Sequence, residues 1–413
     1  MKQYLISATL FGLMVLMTAC SKDDVPATRG GDAANAKTIL IYMAGKNDLS
    51  YALERNLKQI KDGSKHIGEN DNLLVFVRRN NGLEEPWLAR IKSGVVTDSM
   101  SLSNMGITSS DDQSRACDPI VMEGVLRYAF SHYPAMNGNY GLVLWGHGSG
   151  WLIEQEVTPK NSRRGFGVDV GDNNSNDRRW INITTMANIL KELPHMKFIM
   201  GDCCCLMCLE NLYELRNTCD YIIGSPAEIP YSGAPYDQIV PDFFADGKFY
   251  TDIIDKYYSN IMGNLPLTAV KTSEMDNLAQ VTRQTLQAVK EKIGNGYADM
   301  TGLIHYYHTD KQDKFFPEYN IFYDAGDYIR TYAPEAVYQQ WRQALDRTVI
   351  DSRMATKWNT DKPWSNKYSD FTVTKEKFHG VSMFVSQDPS RGNYARYNKD
   401  IKQMAWYETV GGI

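Results

Sequence analysis

Short apolar runs, separated by stretches of helical periodicity, organise the first half of this chain. Five such runs, at residues 38–43, 73–77, 142–145, 198–200 and 221–224, are too short for helices and are typical of strands buried in a sheet. The segments between them place apolar residues three and four positions apart, which predicts amphipathic helices. This alternation of strand and helix favours the α/β class, with a mostly parallel central sheet flanked by helices.

The second half of the chain follows this alternation less closely. Helices are predicted at residues 49–60, 119–133, 182–193, 273–293 and 335–351, with a further one from Leu206. A late strand at residues 380–385 is expected to return to the sheet. We therefore divide the mature chain into a core domain, 37–250, and a C-terminal helical and β elaboration, 251–413, that packs on the same sheet.

The first 36 residues are predicted to direct and tether the protein rather than to fold. Residues 1–19 combine Lys2, an apolar run and small residues, the pattern of a secretory signal that is too short for a membrane span. The following Cys20 resembles the lipidated residue of a bacterial lipoprotein, and residues 20–36 are typical of a flexible tether. This predicts a lipid-anchored protein of the outer membrane, exposed at the cell surface. An ordinary secreted protein is the alternative.

Charge and cysteine usage exclude two classes of protein. The net charge of −5 and the absence of a basic stripe argue against nucleic-acid binding. Of the seven cysteines, four fall within residues 203–208, which is not the spacing of a disulfide framework. Cys117 and Cys219 are isolated in the sequence and are either unpaired or joined to each other.

The cysteine cluster lies where a strand is predicted to turn into a helix. Asp202 and the consecutive residues Cys203, Cys204 and Cys205 follow the apolar run at 198–200. Backbone N–H groups and the dipole at a helix start favour a thiolate, so this position is expected to lower a cysteine pKa. The alternative is that these cysteines are small core residues.

A histidine upstream strengthens the catalytic interpretation. His147 comes just after the strand at 142–145 and is framed by Gly146 and Gly148. Because the carboxyl ends of parallel strands meet at one edge of a sheet, we expect His147 and the cysteines to lie together there. The glycines would let a substrate backbone approach closely and present an N–H group to an oxyanion.

Three segments resemble one known family: LVLWGHGSGW around His147, DCCCLMCLENLYELR from Asp202, and DYIIGSPAEIPYSGAPYD from Asp220. They look like the clostripain family of cysteine peptidases, in the caspase-like clan. TILIYMAGKNDLSYALE and GVSMFV are similar to family elements as well, so the resemblance covers roughly residues 37–390. It implies a caspase-like sandwich and a thiol protease, a cysteine-type endopeptidase.

The position of the nucleophile depends on the register of the family motif. The family carries Asp-Ala-Cys before a helix that holds a Glu and a Tyr-Glu-Leu triplet. Aligning these on Glu210 and residues 213–215 places the motif acid at Asp202 and the nucleophile at Cys204. Aligning on the two residues that follow the cysteines would select Cys205 and lose the acid. We prefer the first register because it needs no gap.

On this register the resemblance implies a Cys-His dyad. Cys204 attacks the peptide carbonyl to form an acyl-enzyme, and His147 protonates the leaving amine and then activates water. The N–H group of Gly148, with that of Cys204, is the expected oxyanion hole.

The resemblance also implies the specificity. Asp202 faces the P1 side chain, so Arg or Lys is expected there. Ser225 and Glu228 are expected to line the same substrate-binding pocket. The alternative role for Asp202 is to cap the following helix.

A basic segment between the histidine and the cysteines is a candidate for self-cleavage. Lys160, Arg163 and Arg164 lie in a polar stretch after Pro159, and exposed loops of this composition are preferred nicking sites. Family members are processed in this region. The alternative is a basic surface loop that stays intact.

No cofactor is expected to be required, although calcium remains possible. An oxygen-rich segment supplies the candidate ligands Asp169, Asp172, Asn173, Asn174 and Asp177, although it lacks the pattern of an EF-hand. A solvated loop is the simpler interpretation, so no metal site is predicted.

Two other classes of function remain open. Cys205 and Cys208 form a C-x-x-C pair at a predicted helix start, the pattern of thiol-redox proteins, while a zinc site would need further clustered ligands. The other class is a non-catalytic cell-surface binding lipoprotein, in which Trp358, Trp364 and Tyr368 hold glycans. Labelling by a basic acyloxymethyl ketone would separate a protease from both.

Overall fold

The computed structural model describes residues 36–80, 85–110, 114–153, 165–171, 177–306, 321–356, 358 and 373–411. Its strands are β1 Thr38–Gly45, β2 Asn72–Arg79, β3 Trp87–Lys92, β4 Val95–Ser101, β5 Tyr140–Gly146, β6 Phe166–Asp169, β7 Arg179–Ile181, β8 Met196–Asp202, β9 Cys219–Gly224, β10 Leu267–Lys271, β11 Tyr323–Asp324, β12 Val349–Arg353 and β13 Ser382–Met383. Its helices are α1 Ser50–Gly63, α2 Pro119–His132, α3 Ile183–Lys191, α4 Leu209–Leu215, α5 Tyr236–Ile239, α6 Phe249–Asn260, α7 Met275–Ile293, α8 Ala325–Tyr332, α9 Glu335–Thr348, α10 Tyr394–Asp400 and α11 Ala405–Val410.

A nine-stranded sheet forms the centre of the molecule, in the order β12-β10-β9-β8-β5-β1-β2-β3-β4. Its five middle strands run parallel to one another. Every residue of β1 and of β5 is buried, as expected for strands covered on both faces. The predicted α/β class with a mostly parallel sheet is confirmed.

Antiparallel strands close both edges of this sheet. The hairpin of β3 and β4 lies beyond β2, and β10 and β12 lie beyond β9. Each edge pairing contains an irregularity in its register, between Arg90 and Ile91 on one side and between Ala269 and Val270 on the other. The edge strands are therefore bent away from a regular ladder.

Helices cover the sheet in two contacting groups. One group comprises α1, α5 and α6, and the other runs through α2, α3, α4 and α7. The amphipathic pattern that predicted α1 is reproduced, with Leu53, Leu57 and Ile60 buried. None of the helices in the described part of the chain is long and apolar enough to cross a membrane.

The C-terminal part joins the sheet differently from our prediction. The expected strand at 380–385 shortens to β13, which pairs with β11 in a separate two-stranded sheet. The part beyond residue 250 instead contributes β10 and β12, which the sequence analysis did not find. The predicted helix at 335–351 ends at Thr348 because β12 starts there. The division at residue 250 stays a prediction.

Candidate active site

Two neighbouring parallel strands bring His147 and Cys204 to the same edge of the sheet. Trp145 of β5 lies opposite Asp202 of β8, and each of the two candidate residues comes two positions later in its chain segment. A Cβ atom placed on Gly148 would lie 2.6 Å from the backbone carbonyl oxygen of Cys204. The backbone after His147 thus packs directly against the cysteine turn, and only glycine fits there.

His147 has an acidic partner that the sequence analysis missed. The Nε2 atom of His147 lies 2.7 Å from Oδ1 of Asp48, which follows β1, the strand next to β5. This hydrogen bond lowers the pKa of the Asp48 carboxyl below its usual value, and the charge of Arg178 contributes in the same direction. Asp48 is therefore ionised. The available signal was its place at the carboxyl end of a strand, the same edge that holds His147.

The Cys204 thiol is half-buried and protonated. Burial, followed by the negative charge of Glu228, raises its pKa to about 12, although the backbone N–H of Ile229 donates to Sγ at 3.3 Å. The predicted lowering of this pKa by a helix start is wrong. The helix α4 begins only at Leu209, well beyond the cysteine turn. A base must therefore remove the proton before the thiolate can form.

The remaining cysteines of the cluster point into the core. Cys203 is 3% exposed, and Cys205 and Cys208 are fully buried. Cys205 has a positive φ of 57°, and its N–H donates to the carbonyl of Ala227. The six cysteines within the described ranges, including Cys117 and Cys219, form no disulfide. Burial makes the pair at 205 and 208 a poor candidate for thiol exchange.

Asp202 is held by three donors beneath the loop that follows β9. The hydroxyls of Tyr236 and Tyr257 donate to it at 2.9 Å each, and the N–H of Ala234 donates at 3.1 Å. Its side chain is almost inaccessible, and burial raises its pKa. The helix-cap alternative is wrong because the cap position of α4 is Cys208. The role of Asp202 in substrate binding stays a prediction.

The loop at residues 225–237 covers both Asp202 and Cys204. Ser225 is buried, and its hydroxyl accepts from the N–H of Ala227, so it shapes the loop. Glu228 is half-exposed and lies close enough to influence the Cys204 thiol electrostatically. Arg55 of α1 donates to the carbonyls of Tyr231 and Ser232 and thereby fixes the loop from the outside.

The candidate calcium segment is only partly described. Asp169 is buried 3.6 Å from the Nε atom of Arg78, and Asp177 pairs with Arg115 at 2.6 Å. Asp172, Asn173 and Asn174 lie outside the described residues. Within the described residues, no cluster of three or more His, Cys, Asp or Glu side chains is arranged to hold a metal ion.

Several other predicted residues also fall outside the described part of the chain. They are the signal and Cys20, the cleavage candidates Lys160, Arg163 and Arg164, and the loop residues Trp364 and Tyr368. Trp358 is described and is fully buried, stacked against Tyr306. The expectation that Trp358 holds a glycan at the surface is therefore wrong.

Comparison with known proteins identifies the chain. The model of the clostripain family matches residues 41–411. The chain belongs to the clostripain family. It is accordingly a cysteine protease, and the resemblance found in the sequence is confirmed. No curated protein matches it by sequence.

Solved structures of clostripain-family relatives share this fold. A secreted C11 cysteine protease from Bacteroides thetaiotaomicron, in complex with an irreversible peptide inhibitor, is 25% identical, with a TM-score of 0.73, over 91% of this chain and 99% of its own. An inactive zymogen of a C11 protease from Parabacteroides distasonis is 27% identical, with a TM-score of 0.72, over 92% and 99%. The caspase-like architecture is thereby confirmed.

Proposed function

We propose that this clostripain-family protease is an endopeptidase that cleaves after Arg or Lys with Cys204 as nucleophile and His147 as general acid and base. One observation carries the assignment: the two residues follow adjacent parallel strands in register, with Gly148 packed against the backbone of Cys204. Nucleophile, base and an N–H group for the oxyanion are thus supplied at one sheet edge.

The reaction begins with removal of the thiol proton. An ionised Asp48 can only accept, so the hydrogen of His147 lies on Nε2 and the Nδ1 atom keeps its lone pair. Nδ1 takes the proton of Cys204 as Sγ attacks the carbonyl carbon of the substrate. The N–H groups of Gly148 and Cys204 hold the oxyanion that forms.

Proton return completes the cycle. The imidazolium gives its proton to the leaving amine as the peptide C–N bond breaks, which leaves the acyl group on Sγ. His147 then takes a proton from a water molecule whose oxygen attacks the thioester carbon. The C–S bond breaks, the imidazolium returns that proton to Sγ, and the acid product leaves. The hydrogen bond to the Asp48 carboxylate holds the ring in its orientation in both steps.

Two carboxylates support a basic P1 residue. Glu228 lies near Cys204 at the surface of the loop at 225–237, and Asp202 lies deeper, as the last residue of β8. A carboxylate offers about four acceptor positions, so its three protein donors leave Asp202 able to accept from a further cation. An Arg or Lys side chain reaches it when the loop at 225–237 shifts.

We further propose that Cys20 is lipidated and holds the protease at the cell surface, and that the chain cuts itself between the His147 and Cys204 strands. The signal pattern at 1–19 supports export, and the relative from Bacteroides thetaiotaomicron is described as secreted. Its substrates are then proteins or peptides outside the cell. The proposed chemistry uses side chains and water alone and calls for no cofactor.

Labelling with a peptidyl acyloxymethyl ketone that carries Lys or Arg at P1 tests the proposed function. The wild-type protein should be labelled on one cysteine, and mass spectrometry of its peptides should place the adduct on Cys204. His147→Ala should not be labelled at a comparable rate. Labelling that favours an acidic or apolar P1 residue, or that falls on another cysteine, would refute the assignment.

A further inference from the structure

A cavity of about 400 Å³ borders His147 and its partner Asp48. Its walls include Asp48, His147, Val168, Val170, Arg178 and Trp180. The volume falls in the range of sites that take small ligands or side chains. No role has so far been given to it, although the catalytic histidine forms part of its wall.

The order of strands fixes where this cavity stands relative to the scissile bond. Reading across the carboxyl edge from β9 to β2, the P1 residues come first, on β8 and the loop after β9. Cys204 and His147 follow, after β8 and β5. The cavity comes next, with Asn47 and Asp48 after β1 and Asn80 after β2. P1 and the cavity thus lie on opposite sides of the catalytic pair.

The chemistry of the leaving group indicates where the substrate residues after the scissile bond lie. His147 must reach the nitrogen of the departing amine to protonate it, so that nitrogen lies beside the imidazole. The residues that follow it in the substrate continue past His147, away from the P1 carboxylates. Among the described residues, the cavity beside His147 lies on this path.

The walls of the cavity favour one class of side chain. Val168 is buried, and Val170 and Trp180 are half-buried, so they offer an apolar surface on and beside strands β6 and β7. The charge of Arg178 is opposed by that of Asp48, which it already influences. An acidic or basic substrate residue therefore gains little there, whereas an apolar one removes its surface from water.

We propose that this cavity is the subsite for the first or second residue after the scissile bond, and that it takes a large apolar side chain against Trp180. This assignment rests on the proposed function, because it assumes cleavage between a basic P1 residue and the segment beside His147. It adds a second determinant of specificity on the leaving-group side.

The test uses internally quenched peptides with Arg at P1 and with Gly, Asp, Lys, Leu or Phe at the first two positions after it. Wild-type protein should cleave the Leu and Phe peptides with kcat/KM about tenfold above that for Gly, and Asp and Lys should give no such gain. Trp180→Ala should remove the preference, and Trp180→Phe should keep most of it. Tyr297→Ala, which removes an exposed aromatic ring in the C-terminal part, should keep it in full.

A peptide aldehyde ending in argininal separates the possible failures, because it has no residue beyond P1. If it inhibits the wild-type protein but the quenched peptides show no apolar preference, the subsite assignment is overturned and the proposed function stands. If Trp180→Ala weakens the aldehyde as much as it slows the Leu peptide, Trp180 supports the catalytic pair instead, and the assignment is again overturned. If neither argininal nor any Arg peptide is recognised, the proposed function itself fails.

Discussion

His147 and Asp48 form a hydrogen bond of 2.7 Å although 99 positions separate them in the chain. The bond joins residues at the ends of two neighbouring strands, β5 and β1. It occupies Nε2, so in the proposed mechanism Nδ1 is the ring nitrogen left to take the thiol proton. Because the Asp48 side chain is 84% exposed, water screens its charge, and we attribute its contribution mainly to the orientation of the ring.

Removal of this partner should slow the chemical step. We expect Asp48→Ala to lower kcat by roughly tenfold with little change in KM, because a misoriented ring loses part of the benefit of general acid–base catalysis. Asp48→Asn keeps an oxygen that accepts from Nε2 and should recover part of the rate. Steady-state kinetics on one Arg substrate suffices, and an Asp48→Ala enzyme with unchanged kcat would exclude a positioning role.

Substitution of individual cysteines should identify the nucleophile. Cys204→Ala should abolish peptidase activity, whereas Cys205→Ala should leave most of it. The Cys205 side chain lies in the core, and its positive φ makes Cys205→Gly the matched control for backbone strain. Thermal unfolding of each variant reports folding separately. Activity that survives in Cys204→Ala and is lost in both Cys205 variants would show that Cys205 is the nucleophile and that the motif register is shifted by one residue.

Neutralising Asp202 should change specificity more than overall activity. Asp202→Asn should cost roughly 2–4 kcal/mol of transition-state stabilisation for an Arg or Lys substrate, since a buried ion pair would lose its anion. A substrate with citrulline at P1, neutral but shaped like Arg, should suffer far less. Glu228→Gln, at a half-exposed position, should cost about fivefold or less. Equal losses for Arg and citrulline would make Asp202 a purely structural residue.

Glu210 makes the free energy of unfolding depend on pH. It is fully buried, and its Oε1 atom accepts from the N–H of Phe384 at 2.7 Å, which ties α4 to the C-terminal part. Burial raises its pKa to about 7. The folded protein therefore binds a proton that the unfolded chain releases near pH 4.5, so stability falls as the pH rises from there to about 7.

Glu210→Gln should remove this dependence because an amide does not ionise. The difference in free energy of unfolding between wild type and variant should change by on the order of 3 kcal/mol between pH 4.5 and 7.5, in the sense that wild type loses more. Above that range the difference should stay constant. Chemical denaturation at a series of pH values measures it, and parallel curves for the two proteins would contradict the raised pKa.

Self-cleavage predicts a two-fragment enzyme. Purified active protein should show one cut after Lys160, Arg163 or Arg164, and N-terminal sequencing of the second fragment should identify which. Cys204→Ala should stay a single chain. A triple variant with Ala at the three basic positions should also stay uncut while it still binds argininal. A cut that persists in Cys204→Ala would come from another protease.

The central strands were predictable because they are buried on both faces. A continuous apolar run is visible in the sequence without knowledge of the neighbouring strands. All five middle strands were predicted to within a few residues of their bounds. The hairpin of β3 and β4 escaped because β4 is an exposed edge strand with polar side chains. β12 escaped because its Val349 and Ile350 continue the apolar periodicity of α9.

The same distinction holds for the candidate site: residues marked by their local sequence were predicted, and those that depend on a distant contact were not. His147 and Cys204 were found because glycines and short strands surround them in the sequence. Asp48 was missed because nothing local marks its contact with a residue so far away in the chain. The direction of the Cys204 pKa was wrong for a related reason: the loop at 225–237 buries the thiol, and a sequence pattern does not reveal which distant loop covers a residue.

The two irregular edges of the sheet have a consequence for how this protease meets other polypeptide chains. β4 carries Asp98, and β12 carries Asp351 and Arg353, next to the breaks in register already described. Charged, bent edges resist the addition of a foreign strand. A strand from a neighbouring copy would therefore have to pair with an irregular edge that carries charge. The same holds for an extended polypeptide that would bind by strand addition at either edge. Binding through the loops at the carboxyl ends of the central strands is favoured instead.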